Sequence, residues 1–211
     1  MVASDQPTDG PLPAGPFGAW LDGLQRALAG GSGTAVPCGS CTACCTSGQF
    51  VHIAPDETDT LAHIPVELLF DAPFLPAGHL VLGYDQRGHC PMLRDGACSI
   101  YAHRPRTCRT YDCRVFPASG LSDPDKPQIA ARARRWEFAV AGPDDERRRT
   151  AVLAAGAFLE QHPEVFPDGA PPPNHTQLAV VAVALHELFA SDSPPTVELV
   201  RTSLGELQRR V

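Results

Sequence analysis

Cys38-Gly39-Ser40-Cys41-Thr42-Ala43-Cys44-Cys45 decides how this chain is read, together with His89-Cys90-Pro91-Met92-Leu93-Arg94-Asp95-Gly96-Ala97-Cys98 and the later Cys108 and Cys113. These stretches hold all eight cysteines of the 211-residue chain. Two overlapping C-x-x-C steps let neighbouring thiolates fold back onto one ion, and Gly39 tolerates the tight knuckle this needs. Zinc takes four such ligands at about 2.3 Å, and iron–sulfur clusters commonly take four thiolates each. Side chains on adjacent residues point apart. Cys44 and Cys45 therefore either serve two different centres or leave one thiol free, and eight cysteines divide into two sets of four.

The second group is spaced more widely. A turn at Asp95-Gly96 and a helix through Ile100 to Tyr111 are expected to bring Cys90, Cys98, Cys108 and Cys113 together. Eight thiolates bring eight negative charges, only partly offset by two zinc ions or two cubane cores. Arg94, Arg104, Arg106, Arg109 and Arg114 flank this group and supply cations to hydrogen-bond sulfur. His52, His89 and His103 lie in the same region. They read as surface or satisfied histidines, with His89 facing away from the centre that its neighbour Cys90 serves.

The compartment bears on the cysteines. The N-terminus MVASDQPTDGPLPAG lacks basic residues and an apolar core, so it does not read as a secretory signal. The run Leu178 to Leu185 falls far short of the ~20 residues that span a bilayer. A cytoplasmic protein without a membrane partner is expected, and in a reducing compartment clustered cysteines are metal ligands before they are disulfides.

A formal net charge of −7 counts against a general nucleic-acid binder. The basic triplets Arg132/Arg134/Arg135 and Arg147–Arg149 sit among acids and read as solvated faces. No G-x-S-x-G, P-loop or G-x-G-x-x-G occurs, and His186-Glu187 lacks the second histidine of a zincin helix. The sequence thus nominates no catalytic residue.

Around the cysteines the pattern predicts an α+β chain in which a small, irregular, metal-stapled cysteine module is followed by a helical C-terminal region. Residues 1–15 read as disordered, 16–116 as a helix plus the module, and 130–211 as helices packing on it. Phe17, Trp20, Leu21, Leu24 and Leu28 mark a helix ended by Gly30-Gly31. Strands are expected at Phe50–Ile53, Leu80–Leu82 and Arg134–Val140. C-terminal helices are expected from Asp144 to about His162, from Asn174 to about Ala190, and from Ser193-Pro194 to about Arg210.

CGSCTACC followed by HCPMLRDGACSIYAHRPRTCRTYDC resembles the YkgJ-type CxxCxxCC family of bacterial cysteine-cluster proteins over roughly residues 38–116. The C-P-x-L, G-x-C-x-I-Y and R-P-x-x-C-R steps occur in the family's order. The resemblance implies zinc or iron chelation by Cys38, Cys41, Cys44, Cys45, Cys90, Cys98, Cys108 and Cys113, in one centre or two. It also implies that Tyr101, Arg104, Pro105 and Arg109 belong to the signature, as structural groups or groups around the metal. Three roles are consistent with this. They are a chelating protein serving structure or metal handling, a [4Fe–4S] oxidoreductase, and a zinc-stapled module that binds a protein partner.

Overall fold

The computed structural model describes residues 10–29, 36, 38–73, 75–191 and 193–210. In chain order its elements are β1 (Leu12–Pro16), α1 (Phe17–Leu28), β2 (Val51–Ile53), α2 (Thr58–Leu61), β3 (Leu69–Asp71), β4 (Leu80–Leu82), β5 (Leu93–Arg94), β6 (Ala97–Cys98), α3 (Arg106–Thr110), α4 (Val115–Ser119), α5 (Pro127–Ala133), β7 (Trp136–Ala139), α6 (Pro143–Gln161), α7 (His175–Leu185) and α8 (Val197–Arg210), joined by short 3-10 turns. The fold is α+β. Among the described residues no helix is long and apolar enough to cross a membrane. The chain divides into two compact units, Asp22–Cys113 with Asp123–Ala130, and Met1–Leu21 with Arg114–Ser122 and Ala131–Val211.

The cysteine-bearing unit is built on an antiparallel sheet in the order β2-β4-β3, with Val51 opposite Leu82 and Leu69 opposite Leu82. One face buries Ile53, Ile64, Leu82, Met92 and Ile100, with Cys90 and Cys98 packed against them. This small core gives the cysteine loops a floor. A second device is the hairpin β5–β6, which pairs Leu93 with Cys98. Its two-residue turn, Asp95-Gly96, has φ of 50° and 77°. Positive φ at both positions is what a tight primed hairpin turn requires, and Asp-Gly meets it at low cost. The turn expected from the sequence is therefore present as the hinge between Cys90 and Cys98.

The expected helix through Ile100 to Tyr111 is broken. Tyr101–His103 forms a 3-10 turn, Arg104 is extended with ψ of 142°, and α3 starts only at Arg106. Pro105 is the cause, because its ring disfavours the helical conformation of the residue before it and it has no N–H to donate.

In the other unit β1 pairs in parallel with β7, Leu12 opposite Trp136 and Pro16 opposite Ala139. Part of the segment expected to be disordered is thus a strand, and residues 1–9 of it lie outside the described residues. The pairing gives a Pro/Gly-rich segment its order through backbone bonds and through the burial of Ala14 and Phe17. Phe17, Trp20 and Phe138 cluster with ring centroids 4.8–5.5 Å apart. Helices α4, α6 and α7 pack together around buried Phe116, Val152, Ala155, Ala179 and Val183. Gly156 lies directly against the Ser119 carbonyl, so any Cβ there would collide with α4.

The helix ends differ in detail from expectation. Asn174 caps α7, its Oδ1 accepting from Thr176 N at 2.9 Å. Helix α8 is capped by Thr196, whose Oγ1 accepts from Leu199 N, and not by Ser193. Helix α6 begins at Pro143 and not with Asp144 as its cap, and Asp145 accepts from Ala141 N. The Gly30-Gly31 terminator lies outside the described residues, as α1 ends at Leu28.

Candidate metal centre

Two backbone bonds bring the two cysteine groups together. Cys90 N donates to Cys45 O at 2.7 Å and Gly48 N donates to Gly88 O at 2.8 Å. Gly48 and Gly88 both have positive φ, of 60° and 77°, a conformation that favours glycine, and their backbones lie in contact. Asp85 organises the approach, its Oδ1 accepting from Arg87 N at 2.8 Å and His89 N at 2.9 Å. These backbone donors hold its carboxyl below the usual carboxylate range. The Asp85–Gly88 turn, closed by Gly88 N donating to Asp85 O, thus delivers Cys90 to the first motif.

The first motif starts with a tight turn, Cys41 N donating to Cys38 O at 3.0 Å with Gly39 at φ 56°. It then enters a 3-10 turn over Cys44–Thr46, held by Thr46 and Ser47 hydroxyls that donate to the Ala43 carbonyl.

Helix α3 delivers Cys108 and is fastened to β2 and α2 by four contacts. Thr107 Oγ1 donates to the His52 carbonyl at 2.8 Å. Arg106 pairs with Asp56 at 2.6 Å. Arg109 lies 3.8 Å from Glu57 Oε2. Glu57 is buried, with one carboxylate oxygen accepting from Ala54 N and the other from Arg106 N in a short bond. A buried carboxylate bonded in this way fixes the start of the helix. No local pattern marks it, since its partners on α3 stand 49 and 52 residues away.

No disulfide joins any of the eight cysteines. Four of the thiols, those of Cys44, Cys45, Cys90 and Cys108, resist ionisation. Burial, then Cys113, Cys41, Cys38 and Cys45 in falling order, pushes the Cys44 thiol up. Burial, then Cys90, Cys45 and Cys98, pushes Cys108 up to about 12. Cys45 is pushed up to about 11 by burial, then by Cys90, Cys98 and Cys41. Cys90 is raised chiefly by burial. Cys44 and Cys108 are exposed as residues. Burial nevertheless leads the shift of both thiols. Adjacent Cys44 and Cys45 feel different thiols first, Cys113 and Cys90, and both also feel Cys41.

Arg104 counters this rise at both Cys45 and Cys108. Its guanidinium stacks 3.6 Å over the half-exposed Tyr101 ring. Its Nε is buried without a hydrogen-bond partner. An orphaned cationic N–H beside thiols fits a charged sulfur acceptor, which metal loading would create. The donor set points the same way. Soft thiolates suit zinc, iron–sulfur and Cu(I), and oxygen-seeking Mg²⁺ or Ca²⁺ poorly.

Residues 37–134 match the CxxCxxCC family model, described as a proposed zinc- or iron-chelating domain. That stretch of the chain, a little under half of it, is similar to this family. No curated protein sequence and no solved structure matches the chain. The domain's family accounts for a metal ligand chemistry and does not choose between zinc and iron.

The other residues singled out from sequence fall elsewhere. Arg106 and Arg109 hold α3 through carboxylates, and Arg94 sits on the exposed β5–β6 hairpin. Arg114 is buried and donates to the Ala14 carbonyl at 3.0 Å. His52 hydrogen-bonds His79 at 2.8 Å, and His103 bonds Asp59 at 2.8 Å.

Proposed function

We propose that this is a metal-chelating cysteine-cluster protein with two four-cysteine centres. One uses Cys38, Cys41, Cys44 and Cys113, the other Cys45, Cys90, Cys98 and Cys108. What carries the reading is that the two cysteine groups meet at Cys45 and Cys90, and the order of thiol neighbours suggests the division, Cys44 feeling Cys113 most and Cys108 feeling Cys90 most, with Cys41 felt at both Cys44 and Cys45. The backbone supports the second set independently, through the Cys45–Cys90 hydrogen bond and the hairpin that sets Cys98 beside Leu93, whose N donates to Cys90 O. Arg104 belongs with that second set, and Tyr101 supports Arg104 by stacking. Arg109 acts through Glu57 on the position of Cys108.

The centres stabilise the domain or carry metal for delivery. A bound centre would cross-link the cysteine loops, so binding free energy becomes folding free energy. Anaerobic purification followed by elemental analysis and an absorption spectrum tests the reading. About two zinc per chain and no visible band support structural centres. About eight iron and eight sulfide with a dithionite-bleached band support cubane clusters and open the way to an oxidoreductase. A chain that binds neither metal after reduction and reconstitution overturns the proposal.

A further inference from the structure

A second donor cluster lies in the same unit and uses no sulfur. Asp59 lies in α2 and His63 in the turn that follows it, four residues on, a spacing that sets a carboxylate and an imidazole side by side. His103 joins them from the 3-10 turn 44 residues further on. One donor atom from each of the three lies within 4.8 Å of the others. Asp59 Oδ2 is 2.8 Å from His103 Nδ1, and Oδ1 is 4.0 Å from His63 Nδ1. His63 Nδ1 also bonds the Asp59 carbonyl at 2.8 Å. The two imidazoles stack, with centroids 3.6 Å apart and planes 8° apart.

We propose that Asp59, His63 and His103 form a solvent-open site for a divalent transition metal such as Zn²⁺, Co²⁺ or Ni²⁺, separate from the cysteine centres. Two imidazoles and one carboxylate are the borderline donors that such ions take. Donors on one ion at ~2.1 Å stand about 3–3.5 Å apart, so the cluster must close by about 1 Å. His63 makes that closure by turning its ring off the Asp59 carbonyl. The side chains of His63 and His103 are 40% and 37% exposed, which leaves them free to turn. The same exposure leaves the remaining coordination positions to water. Arg106 and Arg109 are near, but Asp56 and Glu57 engage them, so their charge is offset before it opposes a cation. As a bare ion pair, the Asp59–His103 contact would contribute little at this exposure.

The proposal does not depend on the cysteine centres, and cobalt separates the two. Co²⁺ is titrated into the purified protein while the visible and near-ultraviolet spectra are recorded. Binding at this cluster gives weak d–d bands without sulfur-to-cobalt charge transfer. Cobalt on thiolates gives intense charge transfer. His63→Ala, His103→Ala and Asp59→Asn are each expected to weaken the sulfur-free binding tenfold or more and to leave any charge-transfer component unchanged. Circular dichroism confirms that the variants fold. On the wild-type protein, paramagnetic broadening of the His63 and His103 ring resonances by substoichiometric Co²⁺ gives a readout independent of any variant. The proposal is overturned if no sulfur-free component appears up to millimolar Co²⁺, if it persists at equal affinity in the variants, or if the two rings are not broadened.

Discussion

Arg104 is the residue on which the reading of the second centre is most exposed. Its charge favours thiolate at Cys45 and Cys108, and its buried Nε has no hydrogen-bond partner. Arg104→Gln should therefore weaken metal binding about 10–100-fold at the second centre only, as groups bonded to metal ligands generally do. Competition against a chromophoric chelator would show one of two metals released early and the other unchanged. Arg104→Lys keeps the charge but loses the fork and the stack on Tyr101, and should fall between. Loss of both metals at once in Arg104→Gln would mean that the residue supports the fold and not one centre.

At the scale of elements, Glu57 does for α3 what no cysteine does. Glu57→Ala leaves the Ala54 and Arg106 amides unpaired where they were bonded, and frees Arg109. The expected cost is about 2–3 kcal/mol, with preferential loss of the metal that depends on Cys108, seen as a lowered midpoint in urea and a reduced metal count. In the other unit, Gly156→Ala should destabilise by about 1–3 kcal/mol, because the new methyl meets a packed backbone carbonyl and not a side chain that can turn away. Thermal unfolding followed by circular dichroism measures it.

Elements were also where the sequence was most and least readable. The periodic apolar stripe of α1, the Asn174 cap and the Asp95-Gly96 hairpin could be read because each is encoded within a few residues. Strand β1 could not, since Leu12–Pro16 takes its order from β7, more than a hundred residues later. The break at Pro105 is encoded locally, but one helix across it is expected if Cys98, Cys108 and Cys113 are to reach a shared site. For the candidate site, the cysteine spacing pointed to convergence and the Cys44-Cys45 pair to two centres. Sequence alone did not tell which sulfurs neighbour which, because that depends on the glycine contact of Gly48 with Gly88 and on the anchoring of α3. Asp85 and Glu57 act through backbone amides, which leave no side-chain pattern to find.

At the scale of the whole molecule, the thiols couple metal, protons and stability. Cys45 and Cys108 hold their protons to about 11 and about 12 in the folded protein, above the ordinary thiol value of 9.0. A raised folded-state value means the fold binds the proton more tightly than the unfolded chain. That contribution is present in full below pH ~9 and is lost as pH rises through 11 to 12. The metal-free protein should therefore lose stability steadily above pH ~9. The metal-loaded protein, whose thiols are already deprotonated, should not. Loading should release protons at neutral pH, detectable as a buffer-dependent heat in calorimetry. A stability profile identical with and without metal would contradict the coupling.

Native mass spectrometry of the wild-type chain beside Cys113→Ser, Cys108→Ser and the double variant tests the two-centre account most directly, counting metal centres retained per folded chain. The account predicts two centres, one, one and none. Either single variant retaining both centres, or losing both while the rest of the chain stays folded, would contradict it.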